Sequence, residues 1–547
     1  MREVLGRRRE STVAPLMVAR AGVFILLAFL YFGRLGGGSL WDNSEPTYGE
    51  IVKELFRTGD WLTLHLNFKP WFVHPPLWFW TAGVIVRVLG LDELAVRLPS
   101  AVFGMLSDFA VYYAARRLYG EIAGLCAALA LGTGLEFIVL SRLAILDTML
   151  VFFTTVAFFA IYFAVRDHNR RAFWLAIIAA ALGTLTKGPV AVVLPVLVLG
   201  AYAAWTKAWP RLRCLPWAAG LLVYVALAGS WFYAETAVWG ADFARAYFGL
   251  SNVGRFLSPF ENQPGPFYYY IPVSILGFFP YIAFVPKALK EAWKRRGDDE
   301  RFLLCCAAVP LLFFSAAQTK LPNYAALFFP PLAVLVGAVL GRAIEGNDLR
   351  SLRGALVVLP ASLVLLSIGL MIYGRANFLG PTLQLVPSLE LLGWIVVPAA
   401  VATFVLTLAV NRAWVAPLGL SAMMAGFVAA LIFSVLPRVE AFKPMKGMAA
   451  AIMSMWQPGD DIGITGASGG FSLLFYTGGR GITLVGPMPG DARPKEFFRR
   501  RPRVFCIIVP GEYQGLRGMG LRLWVLKRAA KVWLVSNAPT TYRSAVR

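Results

Sequence analysis

Asp42-Asn43-Ser44-Glu45-Pro46-Thr47-Tyr48-Gly49-Glu50-Ile51 opens the most informative stretch of this chain. An amphipathic run to Arg57 follows, then Thr58-Gly59-Asp60-Trp61, then Leu66-Asn67-Phe68-Lys69-Pro70-Trp71-Phe72-Val73-His74-Pro75-Pro76. One apolar span, Val13 to Phe32, precedes it. Two acids, Asp42 and Glu45, therefore leave the bilayer at the start of a folded surface loop. A plain loop has no need of this density of Trp, Pro and acid, whereas an active site or a transport pathway does.

The rest of the chain sets the class. With 58% apolar residues and a mean hydropathy of +0.64, it reads as a polytopic α-helical membrane protein. Apolar segments fall at 13–33, 97–116, 121–140, 147–165, 172–186, 189–206, 216–235, 268–286, 302–318, 324–341, 354–374, 388–410 and 414–436, which makes thirteen spans. Residues 77–90 carry Arg87 and are too short to cross, since a span needs about 20 residues. They are expected to lie in the interface, with Trp78 and Trp80 at headgroup level.

The net charge of +22 would suit a nucleic-acid binder, but its distribution points to lipid. Basic residues gather in alternate loops: Arg116-Arg117, Arg166/Arg170/Arg171, Lys207/Arg211/Arg213, Lys287 to Arg301, Arg342/Arg350/Arg353 and Arg412. The intervening loops hold few: Arg142, Lys187, Arg245 and Arg255, Lys320, Arg375. This positive-inside pattern places the N-terminus in the cytoplasm and the Asp42 loop outside, with no nucleic-acid partner. Arg7-Arg8-Arg9 before an apolar run looks like a signal sequence, but no small-residue cleavage site follows, so it reads as a retained first span. The five cysteines and three histidines show no metal spacing.

The Asp42–Pro76 pattern resembles the first external loop of the bacterial aminoarabinose transferase and protein mannosyltransferase-like family, GT-C membrane glycosyltransferases that use polyprenyl-phosphate sugars. Further likenesses sit in later outer loops: Asp147 after Ser141-Arg142, Lys187-Gly188-Pro189, Arg255-Phe256-Leu257 with Pro266-Phe267-Tyr268-Tyr269, and Lys320-Leu321-Pro322-Asn323-Tyr324. The resemblance implies Asp42, Glu45 and Asp147 as catalytic acids. It implies Lys187, Arg255, Lys320, Tyr324, His74 and Arg142 as the cradle of the carrier phosphate. Read as bare residues, Arg142 and Asp147 also allow a plain ion pair between two helices, and Lys187 a snorkelling side chain. The chain departs from the family at Ser44, at Val73-His74 where Glu-Lys is frequent, and at Asn252 where His is frequent. No tightly held zinc is expected, and a weakly bound divalent cation stays open.

Residues 1–438 are thus expected to form a transmembrane GT-C catalytic domain, with the first external loop and its juxtamembrane helices at 34–96. Residues 439–547 are expected to form a small extracytoplasmic α/β domain, with strands near 462–465, 481–485, 503–509 and 532–535 and a helix at 494–500. The expected activity is sugar transfer from a polyprenyl-phosphate donor to a lipid A-like glycolipid at the outer face of the inner membrane, by a monomer. Transfer to Ser/Thr of an exported protein is the alternative within the fold, and a lipid or solute transporter the alternative outside it. Gly463-x-x-Gly466-x-x-Gly469 resembles a dinucleotide turn only loosely, with no acidic residue at the expected distance.

Overall fold

The structure is a computed structural model. It describes residues 2–41, 44–258, 263–359, 398–399, 401–440, 443–465, 470–478, 482–485, 493–499, 503–529 and 532–539, with side chains from Leu16 onward and without those of Asn252, Val253, Arg255 and Leu484. Asp42 lies outside the described residues. The chain forms two compact units: residues 1–35, 72–78 and 97–435, and residues 36–71, 79–96 and 436–547. The break after Val435 falls beside the boundary read at 438, while most of the stretch 34–96 belongs to the second unit.

The described residues of the first unit are mainly helical. Among the described residues four helices are long and apolar enough to cross a bilayer: Glu93–Tyr119, Asp147–Arg166, Trp217–Ser251 and Val415–Glu440. Two bent pairs, Glu121–Gly132 with Leu135–Ser141 and Phe267–Gly277 with Tyr281–Arg295, raise the number to six. The chain is a multi-pass α-helical membrane protein. The span read at 354–374 falls largely outside the described residues, whereas the second half of that read at 388–410 is described and holds the apolar helix Val401–Val410.

Small residues let these helices approach closely. Helix Phe329–Glu345 packs along Glu121–Gly132. A Cβ added at Gly337 would fall 2.5 Å from the Ala123 carbonyl oxygen, and one at Gly341 2.9 Å from the Ala123 Cα. This four-residue glycine spacing is the small-residue packing that replaces the hydrophobic effect where lipid is the solvent. Trp78 is wholly buried in this unit. Its helix, Leu77–Leu89, has 13 residues and spans only about 20 Å, short of a bilayer core.

The second unit is built on a mixed sheet. A two-stranded hairpin, β1 (His65–Leu66) and β2 (Lys69–Pro70), comes from the early stretch. The sheet has β3 (Asp461–Ile464), β4 (Ile482–Leu484), β5 (Val504–Ile508), β6 (Trp524–Arg528) and β7 (Trp533–Ser536) in the order β4-β3-β5-β7-β6. β4, β3 and β5 run parallel, and β7 and β6 continue antiparallel. The two-residue period of β5 fills two cores: Phe505 and Ile507 join Met448, Ile452, Ile462 and Leu473, while Val504, Cys506 and Ile508 join Phe497, Phe498 and Leu516.

Gly463 is a strand residue of β3, and a Cβ there would lie 2.5 Å from the Phe497 ring. Its glycine serves that packing, whereas Gly466 and Gly469 lie outside the described residues. β6 was missed in the sequence because Lys527 and Arg528 interrupt its apolar run. It is an edge strand, where charge discourages pairing with other chains.

The early stretch belongs to this second unit and is tied to its sheet. Helix Ser44–Thr58 packs on helix Gly470–Tyr476, with the ring of Phe475 seated where Gly49 lacks a Cβ, 2.9 Å away. Asn67 donates to Ile482 O at 3.1 Å and accepts from Ile482 N at 3.3 Å, joining the hairpin turn to β4. Asn67 and Phe68 both have positive φ, 54° and 60°, as a tight two-residue hairpin loop requires. Glu54 accepts both turn N–H groups, at 2.7 and 2.9 Å, and so holds that costly conformation.

Candidate active site

Two helices and a short connection create the central cluster of the first unit. Helix Asp147–Arg166 has 20 residues and helix Arg170–Lys187 has 18, about 30 and 27 Å at 1.5 Å per residue. They pack closely along their length, and only Asp167–Asn169 separates them. The start of the first must therefore face the end of the second. Asn169 makes the reversal by accepting the N–H groups of Arg171 and Ala172 at 3.0 and 3.2 Å. Gly188, with φ 103°, ends the second helix in a conformation open to glycine, and Pro189 follows.

An acid at a helix N-terminus and a cation at a helix C-terminus are both stabilised by the helix dipole, and here they meet. Lys187 Nζ lies 2.6 Å from Asp147 Oδ1, with side chains only 11% and 8% exposed. Asn323, in the short 3-10 helix Pro322–Leu327, donates to the same oxygen at 2.6 Å. The Lys187 ammonium also lies 5.4 Å from the centre of the Tyr324 ring, a cation–π distance. Asp147, Lys187 and Tyr324, singled out by motif, thus converge. Asn323 was missed. Its signal was its place between Pro322 and Tyr324, but nothing local says that it reaches a residue 176 positions earlier.

The remaining expected residues are held elsewhere or lie outside the description. Arg142 does not pair with Asp147. Its guanidinium donates to Leu30 O, Tyr31 O and Gly33 O at 2.7, 3.2 and 2.9 Å, closing the orphan carbonyls at the end of the first helix. Lys320 is buried, and its ammonium donates to Phe314 O and Ser315 O at 3.0 and 2.6 Å, the last turn of helix Asp298–Ala316. The Lys320 ammonium lies 5.7 Å from the Tyr270 ring centre. His74 is buried in the first unit. Arg255 begins the short helix Arg255–Leu257, and its side chain lies outside the described residues.

In the second unit, Glu45 is buried in the first turn of helix Ser44–Thr58 and accepts the Trp41 N–H at 2.7 Å. One helical turn on, Glu50 pairs with Lys53 in full burial. The Lys53 ammonium continues to Leu474 O and Phe475 O, both at 3.0 Å. Burial pushes the Glu50 carboxyl up to about 8 against the pull of Lys53, and burial lowers the Lys53 ammonium. In the sequence Glu50 is only one letter of the opening motif. Its burial follows from helix packing that no local pattern encodes.

Comparison with known proteins adds a family. A family model described as dolichyl-phosphate-mannose-protein mannosyltransferase matches residues 73–233. An undecaprenyl phosphate-alpha-4-amino-4-deoxy-L-arabinose arabinosyl transferase of Pectobacterium carotovorum is 35% identical over 324 residues, 58% of each chain. The chain thus spans less than two thirds of that relative's length. A second transferase of the same description, from Pseudomonas fluorescens, is 30% identical over 416 residues, 72% of this chain and 70% of the relative. In fold, the structure matches the crystal structure of ArnT from Cupriavidus metallidurans bound to undecaprenyl phosphate, with a TM-score of 0.81 at 21% identity over 96% of this chain and 98% of that one. The apo form of the same protein matches with a TM-score of 0.80. With 30% identity sustained over nearly three quarters of its length, the chain belongs to the undecaprenyl phosphate-alpha-4-amino-4-deoxy-L-arabinose arabinosyl transferase family.

Proposed function

We propose that this chain transfers a 4-amino-4-deoxy-arabinose unit from undecaprenyl phosphate to a lipid A-like glycolipid at the outer face of the inner membrane. The observation that carries this reading is the buried Asp147–Lys187–Asn323 cluster beside Tyr324, in a chain of this family. A polyprenyl-phosphate sugar brings its own leaving group. Breaking its glycosidic bond releases charge onto the phosphate, and fixed cations in a partly dehydrated site stabilise that charge. Lys187 and Arg255 serve this end, with Tyr324 as hydroxyl donor. Lys320, Arg142 and His74 support the cradle, the first two by fixing helix ends. Lys187 carries three donors, so it meets a phosphate oxygen while keeping its bond to Asp147.

Asp42, Glu45 and Asp147 are the acids of the reading. Asp147 holds Lys187 in place, while Asp42 or Glu45 orients the acceptor and sugar and takes the acceptor's proton if the acceptor is a hydroxyl. A phosphate acceptor, already ionised, needs no strong base. A weakly bound divalent cation stays part of the reading. The same reading has thirteen spans, a cytoplasmic N-terminus, residues 439–547 outside, and a monomer as the working unit.

The test is mass spectrometry of envelope lipids from cells with and without the chain. A mass increment of one aminopentose on the glycolipid, abolished by Asp147→Asn at normal expression, supports the reading. The same increment on exported proteins instead would give the protein O-glycosyltransferase. No increment on either, with full membrane expression, would return the transporter reading. For the cradle, Arg255→Ala is expected to weaken binding of undecaprenyl phosphate while Arg412→Ala leaves it unchanged. Equal losses at fixed salt would reduce the cradle to general attraction for anionic lipid.

A further inference from the structure

Glu136 is the one acid near the central cluster with nothing to neutralise it among the described residues. It sits on helix Leu135–Ser141, which packs against the start of helix Asp147–Arg166, against helix Tyr270–Gly277 and against Pro322–Leu327. It lies within electrostatic reach of Asp147. Asp147 is compensated by Lys187 and Asn323. Glu136 makes no ion pair among the described residues, and its Oε1 is buried without a hydrogen-bond partner. Its space is made by a glycine: a Cβ at Gly277 would fall 2.2 Å from Glu136 Oε2.

A second polar group lies on the helix Tyr270–Gly277, against which Glu136 packs. Tyr270 is wholly buried and within electrostatic reach of Glu136. Its oxygen faces the Leu321 backbone N–H as an acceptor, and its own O–H hydrogen finds no acceptor among the described residues. An acid kept for helix packing is ordinarily paired, since an uncompensated carboxylate at membrane depth is costly and marks a functional position. An unpaired carboxylate and a phenol hydrogen without an acceptor, near an ion pair that is already satisfied, match a ligand that brings a cation together with a hydroxyl. An amino sugar is such a ligand.

We propose that Glu136 binds the ammonium group of the donor sugar and that Tyr270 hydrogen-bonds a neighbouring sugar hydroxyl, so that this pair selects amino-sugar donors over neutral ones. The proposal rests on the donor reading given under Proposed function. It concerns binding alone, and no bond is made or broken at Glu136. A carboxylate that reads a charged donor contributes about ten- to hundredfold in affinity.

The experiment uses the full chain purified in detergent, with undecaprenyl-phosphate 4-amino-4-deoxy-arabinose as donor, its N-acetylated counterpart as competitor, and lipid A as acceptor. Glu136→Gln is expected to raise KM for the amino donor about ten- to hundredfold, with a smaller effect on kcat. The inhibition constant of the N-acetylated competitor should stay within about twofold. Tyr270→Phe should raise KM for both molecules, because both keep the hydroxyl. If Glu136→Gln is poorly folded, Glu136→Asp and Gly277→Ala, which withdraw or displace the carboxyl, must show the same selective loss. An unchanged KM, or equal losses for amino donor and N-acetylated competitor, overturns the inference while leaving the transferase reading standing. No transfer by the unaltered chain from the amino donor overturns both.

Discussion

Removing one partner of the Asp147–Lys187 pair should cost more than removing both. The two side chains are about nine-tenths buried and 2.6 Å apart. Breaking a buried pair leaves a charge without its counter-charge, which typically costs about 3–5 kcal/mol. Lys187→Met leaves the Asp147 carboxylate with Asn323, still at 2.6 Å, so about 3 kcal/mol is expected. Asp147→Asn leaves the Lys187 ammonium against the Tyr324 ring, which contributes about 1–2 kcal/mol when desolvated and offsets part of a similar loss. The double variant removes both charges and should lie within about 1 kcal/mol of the less damaging single variant, giving a coupling energy of about 2–3 kcal/mol. Reversible unfolding in mixed micelles, titrated with denaturing detergent, reads all three variants. Single effects below about 1 kcal/mol that add to within about 0.5 kcal/mol would show that the pair is not formed, and the chemistry assigned to the cluster would lose its anchor.

Three other outcomes are expected. Gly337→Ala should destabilise the first unit by about 1–3 kcal/mol, since its Cβ would meet the Ala123 carbonyl oxygen at 2.5 Å, while Gly200→Ala, whose Cβ meets nothing within 4 Å, should cost little; thermal melting in detergent compares them. Because the Glu50 carboxyl is raised from an ordinary value near 4.5 to about 8, its contribution is fully present below about pH 4.5 and is lost as pH rises through about 8. Glu50→Gln should therefore flatten the fall in stability between pH 5 and 8, with Lys53 and Glu54 as the charged groups facing it, and an unchanged slope in melting temperature against pH would contradict the burial argument. A reporter at residue 547 should read as extracytoplasmic and one at Arg295 as cytoplasmic; the opposite result at 547 would break the thirteen-span arrangement.

The sequence by itself determined the class and the parts. Apolar run length and the alternation of basic loops need no partner to be legible, because the bilayer is a uniform solvent that tests each segment separately. Asp147, Lys187 and Tyr324 were legible because they sit in short motifs at helix ends, and the helix lengths alone bring Asp147 and Lys187 together. Four of the five sheet strands showed as apolar runs, and the edge strand Trp524–Arg528 did not, since its charges obey solvent exposure rather than a core.

What only the tertiary structure decided is which charge answers which. Arg142 and Lys320 stood in motifs that suggested anion binding, yet both spend donors on the orphan carbonyls of helix ends reached from elsewhere in the chain or across a turn. Asn323 joins Asp147, and Glu136 goes without a partner among the described residues, for the same reason: a buried polar group is satisfied by whatever packing brings within about 3 Å. The early stretch Asp42–Pro76 reads as one loop but divides at Trp71, its first part sharing a unit with residues 436–547 through Gly49, Lys53 and Asn67. Periodicity and spacing carry the local preferences of a helix or turn, while contacts across hundreds of residues depend on complementary shape, which one sequence does not display.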